Sequence, residues 1–226
     1  MVNKPRRRKQ QGHGRAYLTL GIILVLVVGG ISYAYAAGLG PFGKQSASTT
    51  TPSLLYARVN TTYGSFEIEL FNSLTPKTVA NFVNLVNQGF YNGLMWHRVE
   101  PGFVIQTGDP NTRNASYPRS EWGKGTSGVQ IPVFEDAPSL HNYEYFMAMA
   151  STGYGVPGSS QFYINLSNST SNLNLDGKYT VFGKVISGMS VVQQIGSVQV
   201  EYNSVAGQNE PTTPIYVTNI TMISSP

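Results

Sequence analysis

One stretch of the chain, Gly89-Phe-Tyr-Asn-Gly-Leu-Met-Trp-His-Arg-Val-Glu-Pro-Gly-Phe-Val-Ile-Gln-Thr-Gly-Asp109, concentrates the side chains able to do chemistry. It sets His97, Arg98 and Gln106 among aromatic residues, in a strand-like pattern that Pro101-Gly102 interrupts. If Leu94–Val99 and Phe103–Gln106 pair across that turn, Arg98, Phe103 and Gln106 share one surface. A cation and an amide beside an apolar ring make a mixed pocket suited to a peptide group. The residues alone leave a second reading open, in which Arg98 is a solvated strand residue and Phe103 plain core. Other chemistries find little material. There is no phosphate-cradling Gly-x-x-x-x-Gly-Lys-Ser/Thr loop, no His-Glu-x-x-His and no Gly-x-Ser-x-Gly elbow. Of the three histidines, His13 lies in the N-terminal tail, and His97 and His141 are too few for a histidine-based metal site. The absence of cysteine excludes disulfides, zinc–thiolate sites, iron–sulfur clusters and a cysteine nucleophile.

The elements around this stretch are mostly short strands. Leu55–Asn60 and Ser65–Leu70 read as a hairpin; in the second run Phe66, Ile68 and Leu70 alternate with Ser65, Glu67 and Glu69, the period of a half-buried strand. Thr75-Pro76 opens a helix, Thr as cap and Pro at the first helical position. Val79, Phe82, Val83 and Val86 form its apolar face, and Gly89 ends it. Apolar runs at Leu94–Val99, Phe103–Gln106, Tyr145–Ala150, Gln161–Leu166, Thr180–Val185 and Ile215–Ile220 predict six more strands, with a short helix from Ser187 to Ile195 before the last. Eight strands and two helices predict a mainly β fold, a closed eight-stranded antiparallel barrel capped by the helices.

The charge of +4 divides unevenly over the 226 residues. Lys4, Arg6, Arg7, Arg8, Lys9 and Arg15 stand in the first 16 residues with no acid among them, whereas Leu54 onward holds 8 basic and 11 acidic residues. A mildly acidic body does not fit phosphate contacts, so nucleic acid is not an expected partner. Residues 17–37 carry no charge and centre on Leu20-Gly-Ile-Ile-Leu-Val-Leu-Val-Val28, a length sufficient for a helix across a ~30 Å hydrocarbon core. The preceding cations predict a cytoplasmic tail (1–16), a transmembrane anchor or signal segment (17–37) and everything beyond on the outer face. Cleavage after Ala36 at the Ala34-Tyr35-Ala36 triplet would instead release a secreted protein. Residues 38–53, rich in Gly, Ser and Thr, read as a flexible linker, leaving 54–226 as the folded domain.

The central stretch also resembles the cyclophilin family of peptidyl-prolyl cis–trans isomerases. Phe90-Tyr91-Asn92-Gly93, Trp96-His97-Arg98-Val99, Pro101-Gly102-Phe103 and Gln106-Thr107-Gly108-Asp109 match the family signature in order and spacing. Phe146-Met147-Ala148-Met149-Ala150, Ser160-Gln161-Phe162-Tyr163-Ile164 and Leu175-Asp176-Gly177-Lys178-Tyr179-Thr180-Val181-Phe182-Gly183-Lys184-Val185 resemble three further motifs, so the resemblance runs over roughly Leu54–Ile223. It implies that Arg98 is the catalytic arginine, that Gln106 holds a substrate carbonyl, and that Phe103, Val104, Phe162 and Leu175 line a proline pocket with Tyr163 and Tyr179 at its rim. Ala150 and Ser151 match the edge segment that positions the substrate backbone. His97 would lie among the substrate-site residues, packing or supporting neighbours rather than acting as acid or base. No cofactor or metal is implied.

Four positions depart from the usual pattern. Val104 stands where many members have Met, Tyr179 replaces a His, and Ser151 replaces an Asn. Asn174 falls where cyclosporin-sensitive members carry a Trp, which implies weak cyclosporin binding. The reading as a whole is a monomeric isomerase domain, tethered to a membrane, that accelerates X–Pro isomerisation in exported proteins. The alternative is a tethered module that binds proline-containing partners without needing turnover; loss of turnover in Arg98→Ala would separate the two.

Overall fold

Alternating burial sets the first hairpin. The computed structural model describes residues 54–226 except Ala115, Val133, Asp136 and Tyr154. In β1 (Leu55–Thr61) and β2 (Gly64–Leu70), Ala57, Val59, Phe66, Ile68 and Leu70 face the core while the residues between them point outward. The chain continues through β3 (Arg98–Glu100), β4 (Val104–Thr107), β5 (Phe146–Met149), β6 (Phe162–Asn165), β7 (Val181–Ser187), β8 (Val200–Asn203), β9 (Gln208–Pro211) and β10 (Val217–Ile223). Eight of these form one antiparallel sheet in the order β10-β1-β2-β7-β5-β6-β4-β3, and β8 pairs with β9 in a separate hairpin. All eight strands of the large sheet overlap runs expected from the sequence; the β8–β9 hairpin does not, because β9 (Gln-Asn-Glu-Pro) has no apolar residue to match the short alternation of Val200 and Tyr202 on β8.

The sheet curls but does not close, which corrects the expectation of a closed barrel. Its ends, β3 and β10, share no ladder. An isolated bridge, Met95 to Tyr216, spans the gap, with hydrogen bonds from Trp96 N to Ile215 O, from Val217 N to Leu94 O and from Gly93 N to Val217 O. The reason is that the chain beside β10 leaves the strand conformation at Gly93. Gly93 has φ +76°, outside the strand region, and Leu94 N turns back to Tyr91 O. The Met95 backbone is taken by side chains, its N–H by Thr112 Oγ1 at 3.0 Å and its carbonyl by Thr107 Oγ1 at 2.8 Å. These two Met95 groups face away from β10, so on that other side the ladder with β4 starts only at Arg98.

Among the described residues three α-helices accompany the sheet: α1 (Pro76–Asn87), the single turn α2 (Thr170–Leu173) and α3 (Met189–Gly196). The α1 helix packs against β10 and α3 against β2. Thr75 does not cap α1 with its side chain. That role falls to Glu135, whose carboxylate accepts from Lys77 N at 2.9 Å and Thr78 N at 2.6 Å, placing a negative charge at the positive end of the helix. At the other end Gly89, with φ +65°, completes a Schellman turn in which Phe90 N reaches Leu85 O and Gly89 N reaches Val86 O.

Inside the curl, Phe66, Phe82, Tyr91, Trp96, Phe162 and Phe182 are fully buried and meet edge-to-face or tilted. A second apolar cluster lies on the opposite face of the sheet, with Val104, Ala148, Ala150, Tyr163 and Val181 buried beneath Phe103, Leu175 and Tyr179. Residues 1–53, and with them the expected tail, membrane segment and linker, lie outside the described residues. Among the described residues no helix is long and apolar enough to cross a membrane.

Candidate active site

Strand register builds the site. Arg98 on β3 stands opposite Gln106 on β4, Gln106 opposite Tyr163 on β6, and Tyr163 opposite Ala148 on β5. One cross-strand row on the outer face thus carries a cation, an amide and a phenol ring side by side, because directly paired residues share a face. Phe103 follows the turn at Pro101-Gly102, where Gly102 has φ +72°. Its ring lies 6.0 Å from the Arg98 guanidinium carbon.

Beside this row is a cavity of about 200 Å3 lined by Phe103, Val104, Tyr163, Leu175 and Tyr179, with Arg98, Gln106, Ala150 and Ser151 at its edges. The Tyr163 and Tyr179 rings meet edge-on at 5.9 Å. A smaller cleft of about 50 Å3 continues past Gln106 between Gly123–Thr126 and Pro157–Gln161. Together they form an apolar hole of side-chain size with a polar groove running from it, the shape of a site for an extended peptide.

The polar groups are held by a chain of hydrogen bonds. Arg98 Nη1 donates to Gln106 Oε1 at 3.2 Å, and Gln106 Nε2 donates to Gln161 Oε1 at 3.0 Å. Gln161 Nε2 is anchored in turn on the carbonyls of Gly123 and Gly125. On its other side Arg98 Nε donates to Glu100 Oε1 at 3.1 Å. Below the pocket wall, the Tyr163 hydroxyl donates to Oδ1 of buried Asn142 at 2.8 Å. Asn142 is fixed by Asp176, which also bonds His141 at 2.8 Å. Burial pushes the Tyr163 phenol well above its ordinary range, so it stays protonated and donates. Asp176 is held below the usual carboxylate value: desolvation acts to raise it, and the Asn142 and His141 hydrogen bonds together outweigh that.

Nine of the eleven site residues expected from the sequence come together around this cavity: Arg98, Phe103, Val104, Gln106, Ala150, Ser151, Tyr163, Leu175 and Tyr179. Two do not. Phe162 is fully buried in the aromatic core, with its ring 5.6 Å from both Phe82 and Tyr91. The period-two alternation of a strand explains this, since Tyr163 faces the pocket and its neighbour must face the other way. His97 is likewise displaced, as the residue before Arg98, and is fully buried. Burial lowers its imidazole from about 6.5 to about 4, although nearby Asp109 pulls the other way. The enclosed ring is not among the residues lining the cavity. Ser151 turns its hydroxyl to Gly153 O at 2.8 Å, within its own loop.

Glu100, Gln161 and Asn142 were given no role from the sequence. For Glu100 a signal existed, because residues i and i+2 of a strand share a face with Arg98. For Asn142 none did, since its partner is 21 positions away.

The chain that carries this cavity is similar to known proteins. Residues 56–222 match the family model of the cyclophilin type peptidyl-prolyl cis-trans isomerase/CLD. Peptidyl-prolyl cis-trans isomerase-like 1 of Aspergillus oryzae is 37% identical over 161 residues, covering 70% of this chain and 89% of that protein. Peptidyl-prolyl cis-trans isomerase A of Dickeya dadantii is 35% identical, covering 82% and 92%. The crystal structure of a Cryptosporidium parvum cyclophilin superposes with a TM-score of 0.63 at 29% identity, covering 76% of this chain and 99% of that one. The same Cryptosporidium protein was also crystallised in the presence of the dipeptide Ala-Pro. The family match runs from β1 into β10, and the two relatives, 37% and 35% identical, are covered almost end to end: the chain belongs to the cyclophilin-type peptidyl-prolyl cis–trans isomerases.

Proposed function

We propose that this chain accelerates X–Pro isomerisation in exported proteins, with Arg98 stabilising the twisted amide. The X–Pro bond is planar through resonance and rotates over a barrier of ~18–20 kcal/mol. As it twists, the prolyl nitrogen loses conjugation and becomes a hydrogen-bond acceptor. An N–H aimed at that nitrogen therefore binds the transition state better than either planar ground state. The observation that carries the reading is the position of Arg98, its guanidinium bonded to Gln106 and Glu100 at the edge of an apolar cavity of about 200 Å3. Proline fills that cavity against Phe103, Val104, Leu175 and Tyr163, and the Gln106 amide holds a neighbouring substrate carbonyl. No covalent intermediate enters the scheme. The Ala-Pro dipeptide used with the Cryptosporidium relative supports proline-containing peptides as the substrate class.

The placement of the enzyme rests on the first 53 residues. Six cations ahead of an uncharged 21-residue segment support a cytoplasmic N-terminus, a single membrane anchor and a catalytic domain on the outer face. Exported chains then form the client pool. A prolyl isomerisation assay on the full chain, with Arg98→Ala beside it, tests the chemistry. Fast exchange that collapses in the variant is the expected result; equal rates overturn the role of Arg98, and no acceleration by the folded wild type favours a proline-binding module. Accessibility of the domain to protease added outside intact cells tests the topology.

A further inference from the structure

Arg98 is gripped from two sides, and one grip comes from a part of the chain remote in sequence. A guanidinium has five N–H donors fixed in one plane. Here Nη1 is committed to Gln106 and Nε to Glu100, while Nη2 has no hydrogen-bond partner among the described residues. The Glu100 carboxylate is only 19% exposed and is itself clamped. Its Oε1 accepts from Asn209 N at 3.2 Å, and its Oε2 accepts from Asn209 Nδ2 at 2.5 Å. Asn209 lies on β9, opposite Tyr202 of β8, so the carboxylate ties the separate hairpin to the strand that bears the arginine.

We infer that Glu100 and Asn209 are positioning residues for the isomerase reaction, setting the plane of the Arg98 guanidinium so that its uncommitted edge faces the prolyl nitrogen. The inference rests on the reading of Arg98 given above. Two anchors are needed because Gln106 alone leaves the group free to rotate about its long side chain. Arginine carries considerable rotamer freedom, and fixing it beforehand removes that ordering cost from the transition state. Glu100 also acts against catalysis, since a carboxylate 3.1 Å from Nε offsets part of the positive charge. The two effects predict opposite outcomes when the acid is removed. Orientation dominates here: Glu100 bonds Nε, while Nη2 remains open to the substrate.

The test is steady-state isomerisation kinetics on the full chain carrying Glu100→Ala, Asn209→Ala, both together, or Arg98→Ala, with a thermal unfolding midpoint for each. Glu100→Ala is expected to lower kcat about tenfold with KM nearly unchanged, because only transition-state binding is lost. Asn209→Ala should lower it less, and the double variant should match Glu100→Ala, since both act through one group. Placed in the Arg98→Ala background, Glu100→Ala should have no further effect on the rate. An unchanged or raised kcat in Glu100→Ala, beside a collapsed Arg98→Ala, overturns this inference and leaves the arginine reading intact. A fall in kcat that tracks only a lowered unfolding midpoint overturns it as well, since a merely structural strut would do the same. Full activity in Arg98→Ala overturns the arginine reading and this inference with it.

Discussion

Arg98 and Gln106 face each other directly across the β3–β4 ladder, and their side chains meet at 3.2 Å. The Gln106 amide thereby has two duties. Its oxygen holds the guanidinium, and its NH2 is held by Gln161. Gln106→Ala should reduce kcat/KM by about tenfold, equivalent to ~1.4 kcal/mol, a usual size for one charge-assisted hydrogen bond. Gln106→Glu should cost at least as much, because a carboxylate no longer donates to Gln161 and partly neutralises Arg98. Isomerisation kinetics on both variants check this.

Phe162 and Tyr163 are adjacent in sequence and sit on opposite faces of β6. Phe162→Ala should destabilise the fold by about 3–5 kcal/mol, the cost of emptying a buried aromatic site. Phe162→Leu, milder, should lower stability and leave KM for a proline peptide unchanged. Tyr163→Ala should instead raise KM, because it removes a pocket wall. Urea unfolding and peptide titration on the same variants separate the two roles.

His97 makes stability depend on pH in a defined window. Its imidazole titrates at about 4 in the folded state and about 6.5 when unfolded, so the unfolded chain binds more protons between those values. Stability should therefore rise from pH 4 to 6.5 and level off above. The contribution is up to about 3 kcal/mol, at 1.36 kcal/mol per unit. Removing the titration with His97→Gln should flatten that part of the profile. Unfolding midpoints measured from pH 4 to 8 would reveal it.

Asn174 terminates α2 next to Leu175, a pocket-lining residue. A small polar side chain there offers little surface to a large apolar macrocycle, so cyclosporin should bind weakly. Asn174→Trp adds an aromatic body and an N–H donor, and should tighten binding by about tenfold or more. Calorimetric titration of wild type and variant decides this; tight binding to the wild type would show that the position does not govern sensitivity.

Strand positions and the strand face of the site were legible in the sequence because they follow from local rules. Alternation marked Phe66, Ile68 and Leu70 as core, and the spacing of Arg98, Phe103 and Gln106 around Pro101-Gly102 allowed them one surface if the two runs paired, which the β3–β4 register bears out for Arg98 and Gln106. The motif order added Ala150, Ser151, Tyr163, Leu175 and Tyr179, which no local pattern connects to Arg98. Phe162 shows the limit of motif reading. A matched motif names neighbours alike, and only the pleat separates the residue facing the pocket from the one facing the core.

What the sequence determined by itself was the eight strands of the large sheet and its two longer helices, the chemical character of the site and an apolar, uncharged segment near the N-terminus. These depend on periodicity and composition, which are properties of short windows. The tertiary structure decided where β3 begins, because Thr112 and Thr107 occupy the Met95 N–H and carbonyl, which face away from β10, and keep the β3–β4 ladder from extending past Arg98. It decided that Glu135, 57 positions from Thr78, caps α1. It also decided that Asn209, 109 positions away, holds the Glu100 carboxylate against Arg98. Each of these is a hydrogen bond between groups far apart in the chain. Such a bond forms only when packing of the apolar faces has already brought both partners together and excluded the water that would otherwise satisfy them.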